Sequence, residues 1–487
     1  MEKEKVLGEK KSGSAGRRWT RLYEGLLSFR GAWAFIFICW LPAFLADWPG
    51  VFVIDNVFQM RWYLEGTVSA HHPVIHTYLL GWILSFGKSV FGSWEAGMCI
   101  FSILQMLFLS AVFAWTLKAL REHTGKRFRM IALLCYALIP YNPVSAFTAT
   151  KDTIFAGLFL LTVVSTWQIV CDREAFLSSW KRIVLYIVLI FFMCAFRNTG
   201  IYIFLFSLPV FFVICRKYWK RLLLIALSCV LLWGVYTGPL YQMLGITKGS
   251  SAEMLSVPIQ QLARVMVNSP EDMTEEQWDL AVQYMPDYSR YAPRVSDPVK
   301  DSFNAELFEK DPLQFIELWV EVGLKSPVVY IDAFRETNIG FWNPFMQYPD
   351  PGTYLAYIPY NSADLEQVGV SWEGQIFIEN KSLIPVLHTV YEKMTETGGY
   401  NRIPGLSFVY NIAVAFLLTA AGGVYCVIRK RYETLVPYFL LLGLWGTLML
   451  SPVVVFRYGY PLIISLPVVY AMCRGNSSDA VSTLARL

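Results

Sequence analysis

Ten apolar runs divide residues 31–473, and most approach the roughly 17–25 residues that a helix needs to cross a bilayer. They fall at 31–47, 96–117, 130–149, 153–171, 183–196, 201–215, 222–240, 403–428, 435–456 and 460–473. In lipid such a run must satisfy its own backbone hydrogen bonds, so each reads as a helix. Composition agrees. Only 16% of the 487 residues are charged, against about 25% in a soluble domain. An all-α membrane protein with about ten transmembrane helices is the fold class that follows.

Charge is unevenly spread. The formal net charge is +4, but residues 240–402 hold 23 acidic and 11 basic side chains, a net −12, which leaves +16 for the rest. The basic residues sit in short loops between apolar runs, which argues against a nucleic-acid surface. Nine cysteines lie almost entirely in apolar runs and form no disulfide framework or metal-binding spacing. The first 30 residues are polar and basic with no cleavage pattern, so the first run reads as an uncleaved signal anchor.

Lys and Arg concentrate in cytoplasmic loops. The basic stretches are the N-terminal arm, 118–129, 173–182, 216–221, 429–431 and Arg474. Placed inside, they let ten helices alternate without conflict and make both termini cytoplasmic. Residues 74–91 are apolar enough to span, but a crossing there would invert every later loop. That segment therefore reads as an interfacial or re-entrant helix in the first outer loop. The expected organisation is a cytoplasmic basic arm (1–30), helices 1–7 (31–240) with an outer loop at 48–95, an extracytoplasmic domain (241–402), helices 8–10 (403–473) and a cytoplasmic tail (474–487). Apolar spacing predicts helices at 273–284, 302–308 and 312–324, and Pro and Gly mark 343–353 as loop.

The unusual polar residues all fall on the outer side: Asp47, Asp55, Arg61, Glu65, His71, His72, Lys151, Asp152, Arg197 and Arg457. Ionisable groups at membrane depth are costly and mark sites; an ordinary wetted surface is the plain alternative. Asp55 could serve as a general base on an incoming hydroxyl, or cap the short helix that follows it. In HHPVIH, His71 and His72 read more readily as an interfacial imidazole pair than as metal ligands. Lys151 and Asp152 form a helix-end ion pair or a binding element. Arg197 in FRNTG and Arg457 in FRYGYP either snorkel to the interface or offer their forked donors to phosphate. Lys151, Arg197 and Arg457 together would make a cationic pocket for a lipid phosphate. No nucleophile motif, phosphate loop or zinc signature appears.

These residues resemble, in placement, the GT-C superfamily of membrane glycosyltransferases. The resemblance implies a catalytic Asp in the first outer loop, an interfacial helix after it, and a second polar pair in the next outer loop. It also implies a sugar donor carried on a polyprenyl phosphate. Asp55, HHPVIH, Lys151-Asp152 and the Arg457 of FRYGYP stand at the corresponding places, and SVPIQQLARV is similar to a segment of an uncharacterised bacterial group. Asn56 departs from the pattern, because many members carry a second acid there. No metal or other cofactor is therefore assigned, and a divalent cation is possible but without support.

The expected activity is sugar transfer from a polyprenyl-phosphate donor to an envelope glycan at the outer face of the plasma membrane. Asp55 would be the base, and Lys151, Arg197 and Arg457 would hold the donor phosphate. The alternatives are a polymerase or ligase using lipid-linked glycan, and a lipid-linked-sugar transporter or flippase. A transporter would be expected to show broken helices and repeated halves; neither is evident in the sequence.

Overall fold

The computed structural model describes residues 22–346, 354 and 376–475. The basic arm up to Arg21, most of the loop expected at 343–353, and the tail from 476 lie outside the described residues. The described residues are helical throughout, and β pairing among them is confined to isolated bridges.

Among the described residues, five helices are long and apolar enough to cross a membrane, or six if one bent pair is a single span. In chain order the first part of the bundle comprises α1 (Phe29–Ala46), α2 (Ile54–Glu65), α3 (Val74–Phe91), α4 (Trp94–Ala119), α5 (Lys126–Leu138), α6 (Tyr141–Phe147), α7 (Lys151–Cys171), α8 (Trp180–Phe196), α9 (Gly200–Ile214) and α10 (Trp219–Val235). Val74–Phe91, which the charge pattern keeps at the interface, passes the same test of length and apolarity as the longest helices. It lies backbone to backbone on α4. A Cβ at Gly87 would sit 2.1 Å from the Gly97 nitrogen, so this approach requires glycine.

The run at 130–149 is not one helix. It breaks between α5 and α6 with a 55° bend, contrary to the expectation of uninterrupted helices. Pro140 lacks an N–H and pushes Ile139 into an extended conformation (ψ 121°), which ends α5. The carbonyls freed by the break are not orphaned. Asn142 Nδ2 donates to the Cys135 and Tyr136 oxygens at 3.0 and 3.2 Å, and Trp40 Nε1 donates to the Tyr136 oxygen.

The polar region builds its own core. Helices α11 (Ser256–Asn268), α12 (Glu275–Tyr284), α13 (Ala305–Lys310), α14 (Pro312–Lys325) and α15 (Pro327–Asn338) enclose Ile259, Leu262, Tyr284, Phe303 and Phe315. Three of these lie where the apolar spacing placed helices. Their starts follow local chemistry: Thr274 and Gln277 cap α12 reciprocally, and Asp311 caps α14 ahead of Pro312. This domain rests on two bundle segments. Thr247 pairs with Val68 and Ala70, and the Ser296 N–H donates to the Pro452 oxygen at 2.9 Å.

The chain then returns to the bundle through α16 (Pro385–Glu396), α17 (Ile412–Ile428), α18 (Leu435–Leu448) and α19 (Phe456–Arg474). Helix α18 stops eight residues short of the apolar run that predicted it, at the Ser451-Pro452 turn. Helix α16 packs on α1, where His388 Nδ1 meets the Asp47 carboxylate at 2.6 Å.

Candidate functional site

Three helices begin at one place. Asp55 lies in the first turn of α2, Lys151 and Asp152 open α7, and Arg457 lies in the first turn of α19. Arg197 reaches the same place from the C-cap of α8. A helix start presents free N–H groups and a positive partial charge, so the backbone adds to the cationic character.

The local fold places these groups through buried amides. Asn56 accepts from the Val53 N–H at 2.9 Å and donates to the Ala149 oxygen at 2.7 Å. The structure therefore assigns the helix-capping role to Asn56, and leaves the Asp55 carboxylate free to face Lys151. An acid at position 56 could accept but not donate, which accounts for the amide there. Gln105 Nε2 gathers the oxygens of Ser145, Ala146 and Thr148 at 3.3, 3.0 and 2.7 Å. Val51 pairs with Thr148 at the end of α6, and Gly50 (φ +115°) allows it. A Cβ at Gly50 would stand 2.0 Å from Ser102 Oγ. Together these bonds fix where Lys151 starts its helix.

The charged groups form one network. Lys151 Nζ stands 3.7 Å from Asp55 Oδ2, and Arg457 Nη2 stands 3.9 Å from the same oxygen. Arg457 Nε faces Asp152 Oδ2 at 3.5 Å, and Arg197 Nη1 donates to Asp152 Oδ1 at 3.0 Å. Arg197 also lies over the rings of Tyr458 (4.7 Å) and Phe155 (5.5 Å). It enters the network through Asp152, and no ion pair among the described residues joins it to Asp55. Three cations against two carboxylates leave one positive charge in excess, which suits an anionic ligand.

Burial opposes ionisation of Asp55, but the charges of Lys151 and Arg457 outweigh it and hold its carboxyl well below the usual carboxylate range. His72 is buried, and that burial together with Lys151 pushes its imidazole down to about 2, so it is neutral. Lys151 Nζ donates to His72 Nδ1 at 2.9 Å. His71 points the other way, 3.9 Å from Glu253 of the polar domain. His76 of the same motif is a core residue, bonded to Gln59 and edge-on to Phe101 and Phe196. No group of three or more His, Cys, Asp or Glu among the described residues is placed to hold a metal ion.

Not every polar residue joins. Asp47 is buried against His388, Arg61 lies over Phe58, and Glu65 is exposed. The sequence did not single out His388, because a lone histidine 341 residues away carries no local signal. Nor did it single out Trp62, whose ring lies 5.5 Å from His72.

Two cavities lie beside Arg457 and Tyr460. A polar one of about 20 Å³ is lined by Tyr141, Ser145, Thr148, Asp152, Arg457 and Tyr460. An apolar groove of about 320 Å³ lies between α5, α17 and α19 and shares Tyr141 and Tyr460 with it. Ile131, Phe408 and Leu418 on the groove's wall are exposed.

The fold and this site define a helical membrane protein with a cationic, carboxylate-bearing pocket at one end of its bundle. The chain belongs to DUF6020, a family of unknown function, which it matches over residues 34–486. No curated protein and no solved structure matches it.

Proposed function

We propose that this protein is a membrane glycosyltransferase of GT-C-like architecture. It moves a sugar from a polyprenyl-phosphate donor to a hydroxyl of an envelope glycan at the outer face of the plasma membrane. In this reading the ten apolar helices cross the bilayer, α3 lies at the interface, and both termini are cytoplasmic. The observation that carries the reading is Asp55 held between Lys151 and Arg457, with Arg457 lining a polar cavity that shares Tyr141 and Tyr460 with an apolar groove. The groove suits an isoprenoid tail, the two cations suit its phosphate, and the carboxylate suits a base.

The chemistry is a single displacement. The acceptor hydroxyl gives its proton to an Asp55 oxygen as its own oxygen attacks the anomeric carbon. The bond from that carbon to the phosphate oxygen breaks, and polyprenyl phosphate leaves with its added charge facing Lys151 and Arg457. A carboxylate so strongly held as an ion is a weak base in the free protein. A bound phosphate changes this, because it draws on the same two cations and adds negative charge beside Asp55. Donor binding thus raises the proton affinity of Asp55 at the moment it is needed.

The test is mass spectrometry of envelope glycans from a strain lacking the protein beside its parent, with release of polyprenyl phosphate by the purified protein in nanodiscs. One sugar is expected to be missing from the deletion strain and to be restored by the wild-type gene. An unchanged glycan profile together with movement of lipid-linked sugar across vesicles would overturn transfer in favour of transport.

A further inference from the structure

The closest polar partner of Lys151 is a neutral ring. His72 Nδ1 stands 2.9 Å from its Nζ, whereas the Asp55 oxygen stands 3.7 Å away and its side chain is 26% exposed. A lysine ammonium has three donors and no lone pair. The bond therefore fixes the tautomer of His72, with the lone pair on Nδ1 and the proton on Nε2.

The ring is itself held. His72 is only 5% exposed, its centroid lies 5.5 Å from Trp62 and 4.8 Å from His71, and Pro73 follows it directly. It cannot swing away from Lys151 without displacing Trp62. A carboxylate at this position would orient the ammonium equally well but would cancel its charge. A neutral acceptor orients it and leaves the charge for something else.

We infer that His72 is a positioning residue whose Nδ1 holds the Lys151 ammonium toward an anionic oxygen of a bound ligand. The identity of that oxygen as a lipid phosphate rests on the function proposed above; the positioning role does not. His72 then contributes nothing directly to the anion, and its effect passes wholly through Lys151. This gives the HHPVIH motif a use that needs no metal: His72 orients Lys151, His76 packs into the core, and His71 meets the polar domain.

The test uses the full chain in nanodiscs, with farnesyl phosphate as the probe and native mass spectrometry as the readout. In His72→Asn the side-chain oxygen takes the place of Nδ1, and in His72→Gln the amide reaches only the place of Nε2. His72→Asn should keep affinity within about twofold of wild type, while His72→Gln and His72→Ala should lose about tenfold. In a Lys151→Ala background, His72→Ala should cost nothing more. A full loss of His72→Ala affinity in that background, or an Asn variant as weak as the Gln variant, would overturn the inference. A second readout separates it from the donor reading: the rate of amine labelling at Lys151, followed by peptide mass spectrometry. His72→Ala and His72→Gln should change that rate and His72→Asn should not. If wild type fails to retain farnesyl phosphate while labelling follows this pattern, the donor reading falls and the positioning role stands. If labelling ignores position 72, the positioning role falls.

Discussion

Arg457 Nη2 and Asp55 Oδ2 stand 3.9 Å apart, which ties the last helix of the bundle to the segment that follows the first. The same guanidinium turns its Nε to Asp152 at 3.5 Å. One side chain therefore bridges the two carboxylates, and a ligand that takes Arg457 also loosens its hold on Asp55. In the proposed reading, base and phosphate site would be coupled through this residue.

The first expectation concerns the two cations nearest Asp55. Arg457→Ala and Lys151→Ala should each weaken use of a polyprenyl-phosphate sugar about tenfold or more, because a hydrogen bond to a charged group contributes about 1.5–3 kcal/mol. Membrane level should be nearly unchanged for Lys151→Ala, whose side chain is 21% exposed. Donor binding to the purified variants is the measurement. Wild-type affinity in both would return these side chains to interface anchors.

Arg197 should behave differently. Its partner Asp152 is only 3% exposed, so Arg197→Ala leaves a buried carboxylate short of a cation. A loss of about 3 kcal/mol is expected, at the low end of such cases because Arg457 still faces Asp152. Thermal unfolding in nanodiscs should show this, and adding Asp152→Asn should restore part of it. An Arg197→Ala variant with normal stability and poor donor binding would mean that Arg197 meets the phosphate directly.

Much of this was legible in the sequence, for reasons that also explain what was not. The apolar runs found their helices because length and hydropathy act locally. The bend at Ile139 was hidden because apolar residues continue across it, although Pro140 and Pro143 stood in plain view. Asp55, Lys151, Arg197 and Arg457 stood out with six other residues because charge near a membrane needs a reason, and phosphate-matching donors and the resemblance in placement narrowed the set. Their pairings were not legible, because a contact between residues 55 and 457 leaves no trace in spacing. Asn56 read as a missing acid; the structure makes it the amide that ties Val53 to Ala149.

Orientation can be tested directly. A reporter active only outside the cytoplasm, fused at Lys310 of the polar domain, should be active, and the same reporter at Lys430 should be silent. The motive is that every basic loop falls on one side under this arrangement. The reverse pattern would invert the protein and move the site to the cytoplasmic face.

Acidification should weaken the site through His72. Its folded pKa, about 2, lies below its ordinary value of 6.5, so the neutral ring stabilises the fold fully above pH 6.5. That contribution is lost progressively as pH falls through the window below 6.5, because only the unfolded chain gains the proton. Between pH 7 and 5.5 the loss is about 1 kcal/mol. Burial, Lys151, His71 and His76 oppose protonation and Asp55 favours it, while the Asp55 carboxyl itself titrates far below this window. His72→Asn carries no proton there, so its unfolding midpoint should fall less than wild type between those pH values. Equal falls would place His72 in contact with water.

The sharpest expectation separates two carboxylates that lie close in sequence. Asp55→Asn keeps the size of the side chain, and the helix loses no cap, because Asn56 and Val53 close its start. Membrane level should therefore remain near wild type, and the lipid donor should bind at least as tightly, because Lys151 and Arg457 then face its phosphate without a competing carboxylate. The amide cannot take a proton from an acceptor hydroxyl, so transfer should fall about 10²–10⁴-fold, the range for a general base. Asp47 is the control. It is fully buried, its Oδ1 meets His388 at 2.6 Å, and its backbone oxygen accepts from Asn380. Asp47→Asn should thus loosen the docking of α16 on α1 and lower the unfolding midpoint, while leaving most of the transfer rate. The measurements are turnover with a polyprenyl-phosphate sugar, donor binding and thermal unfolding on both variants. If Asp55→Asn transfers normally and Asp47→Asn does not, the base is Asp47. If both transfer normally, neither carboxylate is the base, and the network around Asp55 serves binding or transport alone.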